Sequence, residues 1–84
     1  MKNRYYGKDV TGNGRIVRML RERLDLTQSM LAKTLGISSA MVGAIERGTA
    51  KLSDAHAEIL VSKFDGLTKE NFTEGKPVEW SRVK

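Results

Sequence analysis

An all-α fold of five short helices is what this sequence predicts, and three observations predict it. Apolar residues recur at helical spacing, first as Ile16, Val17, Leu20 and Leu24, then as Leu31, Ala32 and Leu35. Hydroxyl residues stand just ahead of the later helical stretches, as Thr27, Ser38 and Ser53 do, where each can accept a hydrogen bond from a free first-turn amide. Glycines stand just behind, at Gly36 and Gly48, where a helix ends in the left-handed conformation that glycine adopts without strain.

Eighty-four residues make one domain, near the size at which a single core is only just sufficient without staples. The chain has no cysteine, so neither a disulfide nor a thiolate metal site can hold it. Its one histidine, His56, reads as an exposed helix residue rather than a ligand, and no metal or cofactor is expected. No apolar run approaches the roughly 20 residues of a membrane span. The first residues are polar and charged, unlike a secretory signal, so a cytoplasmic location is expected. The net charge is +5, and all of that excess falls in the first 24 residues: Lys2, Arg4, Lys8, Arg15, Arg18, Arg21 and Arg23 stand against Asp9 and Glu22. A positive charge concentrated in this way favours a polyanionic partner.

Taken in order, residues 1–14 read as a basic arm with three glycines and an Asn13-Gly14 pair at its end. Residues 15–73 form the folded domain. Helix 1 runs from Arg15 to near Asp25, with Arg18 and Glu22 four apart and able to pair. Helix 2 runs from Gln28 to about Leu35, and Gly36 stops it. Ile37 turns toward the core, and helix 3 continues from Ser38 to Arg47 with Val42 and Ile45 inward and Ala40, Gly43, Ala44 and Arg47 outward. Helix 4 follows Ser53, with Asp54 in its first turn where a carboxylate suits the helix dipole. Its inner face is Ala57, Leu60, Val61 and Phe64. Asp65-Gly66 ends it, and Thr68, Asn71 and Phe72 indicate a last short helix. The tail, residues 74–84, contains the only proline, Pro77, and the alternation of Val78 and Trp80 with polar neighbours is a weak strand signal.

Two short capped helices joined by a glycine-centred turn are the layout of a helix-turn-helix. Leu20-Arg21, Leu26-Thr27-Gln28, Leu31-Ala32, Leu35-Gly36-Ile37-Ser38, Val42, Ile45-Glu46 and Gly48 resemble the Cro/CI-type (xenobiotic-response-element-like) helix-turn-helix family. The resemblance covers about residues 15–73. It implies a five-helix, λ-repressor-like domain that binds operator DNA as a dimer. The arm and the tail lie outside it.

By that resemblance Gln28 occupies the phosphate-clamping position at the start of helix 2, where it can also brace the first residues of helix 3. Arg21 and Glu46 fall where the family often has a partly buried ion pair between helices 1 and 3. Ser38, Ser39, Ala40, Gly43 and Ala44 fall on the positions that enter the major groove. None of these has the long bidentate reach of Arg, Gln or Asn. Ser39 can bond a base edge, Ala40 or Ala44 can touch a thymine methyl, and Ser38 serves equally as a cap. Discrimination is therefore expected to lean on DNA shape, thymine contacts and the arm.

Arg47 is expected to face a phosphate, with Thr49 and Lys51 in the loop behind it, although a merely solvated Lys51 is an equal reading. Lys2, Arg4 and Lys8 either follow the backbone or a minor groove, as arms of some relatives do, or stay unbound. Trp80 has two readings: it folds back onto its own core, or it anchors a dimer with Val78 and Val83 beside it.

The function expected is a sequence-specific regulator of the phage or mobile-element repressor type, a homodimer on double-stranded operator DNA. The rivals are an antitoxin that autoregulates through the same domain while its tail holds a toxin, and a protein-interaction module that no longer touches DNA. An enzyme is not expected, because no nucleophile–base pair can be assembled from one histidine and no cysteine.

Overall fold

The computed structural model describes residues 12–84, and the arm cations Lys2, Arg4 and Lys8 lie outside them. The elements are α1 (Gly12–Arg23), α2 (Gln28–Leu35), α3 (Ser39–Arg47), α4 (Asp54–Lys63) and α5 (Lys69–Thr73), followed by a 3₁₀ turn, Trp80–Arg82. Among the described residues every regular element is helical, as expected.

Local chemistry sets most of the boundaries. The hydroxyl of Thr27 accepts from the Met30 amide at 3.0 Å, that of Ser38 from Met41 at 3.0 Å, and that of Ser53 from His56 at 3.1 Å. Thr68 does the same for α5, and Asn71 answers by accepting from the Thr68 amide at 2.7 Å. This reciprocal arrangement satisfies two donors that a helix start otherwise leaves open. Gly36 (φ 72°) and Gly48 (φ 84°) close α2 and α3 in the left-handed region. Asp25 (φ 58°) is the one described residue other than glycine with positive φ, and it lies in the turn directly behind α1.

The core lies where α1, α2, α3, α4 and α5 converge. Val17, Leu20, Leu31, Val42, Ile45 and Leu60 are its largest fully buried side chains, with Leu52, Leu67 and Phe72 closing it from the loops and α5. Ile37, Val61 and Phe64 are half-buried against it.

Three expectations are corrected. The helix that was to begin at Arg15 begins at Gly12, so Asn13-Gly14 is helical rather than the end of an arm. The reason is tertiary: Gly14 is buried against the end of α3, and a Cβ there would collide with the Ile45 carbonyl oxygen. Only glycine permits that approach. His56 is half-buried rather than exposed, and its Nδ1 is shut off from solvent without a hydrogen-bond partner.

The tail, third, is not a strand. Val78, Trp80 and Val83 are half-buried against the domain's own core. The Trp80 ring lies under the Arg23 guanidinium, 5.0 Å from its carbon to the ring centroid. Asn71, itself buried, donates to the carbonyls of Lys76 and Pro77, both at 3.0 Å, while Asp65 and Lys84 exchange reciprocal backbone bonds at 3.2 Å. Those contacts fold Trp80 back onto its own domain, the first of its two readings.

Candidate nucleic-acid interface

The interface is built from the start of α2 and the outer side of α3. Thr27 caps α2 and thereby places Gln28 as its first helical residue. From there the Gln28 amide donates to Glu46 Oε1 at 3.2 Å. It therefore braces the last turn of α3, not the first residues expected from the sequence. Glu46 is held from a second side by Arg21, whose Nε donates to Oε2 at 2.7 Å and whose Nη2 donates to Oε1 at 3.2 Å. Arg21 Nη1 also donates to the Leu26 carbonyl at 3.1 Å. The expected ion pair between helices 1 and 3 is thus present, and one carboxylate organises side chains from α1 and α2.

Around it Arg18, Arg21, Gln28, Gly43, Glu46 and Arg47 line one polar recess. Three arginines and one glutamate line it, so its lining carries an excess of positive charge. Arg18 also pairs with Glu22 at 3.0 Å. Of these residues Arg18 was read from sequence as the partner of Glu22 and as part of the basic excess, not as a member of a site. Its place in the recess depends on how α1 meets α3, which spacing along the chain does not encode.

Not every expected outward residue faces solvent. Ser38, Ser39, Ala40 and Arg47 are exposed and Ala44 is half-buried, but Gly43 is buried. A Cβ on Gly43 would stand 3.1 Å from an Arg47 guanidinium nitrogen and 3.5 Å from the Gln28 amide nitrogen. Gly43 is therefore a seat for two longer side chains rather than a surface for bases. Behind α3, Thr49 donates its hydroxyl hydrogen to the Ala44 carbonyl at 3.1 Å. That hydroxyl has no hydrogen left for a phosphate, although Thr49 and Lys51 are both exposed. Met41, which the sequence reading passed over, is 42% exposed.

Among the described residues no group of three or more His, Cys, Asp or Glu side chains comes together, and no helix is long and apolar enough to cross a membrane.

A short helix showing small side chains outward, clamped to a capped partner beside a cationic recess, is the working part of a DNA-binding helix-turn-helix domain. Comparison with protein families agrees: the model described as Helix-turn-helix matches residues 17–69. The match spans more than half of the chain, which belongs to the Cro/CI-type helix-turn-helix family of DNA-binding transcription regulators. No curated protein and no solved structure matches the chain.

Proposed function

We propose that this protein is a sequence-specific repressor that binds operator DNA as a homodimer and acts by occupying a promoter, in the manner of phage and mobile-element regulators. The observation that carries this reading is the recess in which Gln28 and Arg47 flank the Arg21–Glu46 pair at the joint of α2 and α3. With one amide hydrogen committed to Glu46, the Gln28 amide is held in place, and its second hydrogen suits a phosphate oxygen. Arg47 and Lys51 supply charge to the neighbouring phosphates, and the exposed Ser39 and Ala40 enter the major groove.

Size supports the dimer. The described residues extend 30 × 26 × 23 Å. Two such bodies fit side by side on half-sites about 34 Å apart, one turn of the duplex, without overlapping. A single recognition helix reaches only a few base pairs, so pairing is what would raise affinity to a useful range. Repression then follows from exclusion and needs no catalysis.

The test is selection of bound duplexes from a random pool, followed by affinity measurements across a salt series and the stoichiometry of the complex. With Arg47 and Lys51 from each of two copies at phosphates, log affinity should fall on log salt with a slope of about −4. Two chains should bind each selected site. A slope near zero, or failure to retain any duplex at low salt, sinks the reading.

A further inference from the structure

We propose that α1 supplies a duplex contact of its own: Arg18 exchanges Glu22 for a backbone phosphate when the recess meets DNA. This rests on the duplex-binding reading above. It adds a cation from outside the α2–α3 pair, together with the carboxylate that restrains it.

Arg18 is placed by the close approach of α1 to α3. Gly14, Arg18 and Arg21 are four and three residues apart, so they share one face of α1. Gly14 sits against the Ile45 carbonyl oxygen at one end of that face, and Arg21 binds Glu46 at the other. Arg18 stands between them and lines the recess with Gln28 and Arg47.

The cations of the recess are held in different ways. All three nitrogens of the Arg21 guanidinium are engaged inside the molecule, two with Glu46 and one with the Leu26 carbonyl. Both oxygens of Glu46 accept from Arg21 in return. The Glu46 charge is thus matched by Arg21, and Arg18 and Arg47 carry the excess. Arg18 Nε donates to Glu22 Oε2 at 3.0 Å, in a pair whose side chains are 32% and 54% exposed.

An exposed pair four residues apart on one helix is weak and screened by salt. Arginine binds a phosphate through parallel, charge-assisted hydrogen bonds, a stronger arrangement than such a pair. A phosphate entering the recess therefore displaces Glu22 from Arg18. The displaced carboxylate stays one helical turn away along α1 and repels the phosphate, so Glu22 lowers affinity.

The experiment uses the full chain and its selected duplexes, with affinity measured across a salt series for the parent, Arg18→Gln, Arg18→Lys and Glu22→Gln. Arg18 from each of two copies adds two phosphate contacts to the four counted above, which steepens the salt slope by about 2. Arg18→Gln should remove that increment and weaken binding by about tenfold. The loss should be alike for every selected duplex, leaving their order of preference unchanged. Arg18→Lys keeps the charge and should restore the slope. Glu22→Gln should raise affinity about fourfold, about twofold for each chain, at an unchanged slope. The proposal is overturned, with duplex binding intact, by an Arg18→Gln slope equal to the parent's or by Arg18→Lys failing to restore it. Glu22→Gln binding no tighter than the parent overturns it too. A chain that retains no duplex overturns both readings.

Discussion

Arg21 and Glu46 stand 25 residues apart and meet through two hydrogen bonds, at 2.7 and 3.2 Å, that tie α1 to α3. Glu46 is 5% exposed and the Arg21 side chain 18%. The hydrogen bond from Arg21 to Glu46 raises the arginine above its ordinary value, against the opposing effect of burial and with further attraction from the carboxylate charge. The stability that this raised value contributes is lost as pH rises through the strongly alkaline range in which Arg21 gives up its proton.

Glu46→Ala leaves the Arg21 guanidinium half-desolvated and frees Gln28. It should lower unfolding stability by about 3 kcal/mol in urea titration. The double replacement Arg21→Met with Glu46→Leu should recover most of that loss, because an apolar pair avoids the desolvation cost. A double variant as unstable as Glu46→Ala would show that the pair holds α1 and α3 in ways beyond its charges.

Gly14→Ala offers a test by sign. In an open helix this change stabilises by about 1 kcal/mol. Here the new Cβ meets the Ile45 carbonyl oxygen, which is backbone and cannot swing aside. A loss of about 1–3 kcal/mol is expected instead, read as a lower melting temperature. A gain would mean that α1 does not approach α3 as closely as described.

Gly43→Ala should separate folding from binding. The neighbours of its Cβ are the ends of two flexible side chains, Arg47 and Gln28. Stability should hold or rise by up to about 1 kcal/mol, the ordinary gain of alanine over glycine in a helix. Duplex affinity should fall, because Arg47 and the Gln28 amide are displaced from the recess. Gln28→Ala should likewise weaken binding about tenfold, for the loss of one phosphate bond of about 1.5 kcal/mol, with little change in stability. Unchanged affinity in both variants would remove the recess from the interface.

Trp80, the single tryptophan, reports on the tail. Its fluorescence and the helical signal should unfold at one denaturant midpoint, since the tail is gripped by Asn71, Asp65 and Arg23. Asn71→Ala leaves the Lys76 and Pro77 carbonyls without their donor and should lower stability by about 2–3 kcal/mol. In that variant the fluorescence transition should come first. Separate midpoints in the parent chain would mean that the tail docks independently of the domain.

The hydroxyl caps Thr27, Ser38 and Ser53, the glycine stops at Gly36 and Gly48 and the core stripe of α1 to α4 were legible from residue order. A cap acts within its own turn, and a helical stripe follows from spacing, so each rule needs only a few consecutive residues. The Thr68–Asn71 capping box belonged to the same class and was available as a signal; only its second role, the grip of Asn71 on the tail, was hidden.

Tertiary structure decided what depends on distant groups. It drew the start of α1 back to Gly12, because the end of α3 has room for a glycine and nothing larger. It buried Gly43 beneath Arg47 and Gln28, and turned the Thr49 hydroxyl to its own chain. It also placed Trp80 on Arg23 rather than in a strand. Residue order thus determined which segments become helices and which residues could meet DNA. Which of them remain on the surface was settled by contacts a few ångströms long between positions tens of residues apart, and no local pattern carries that information.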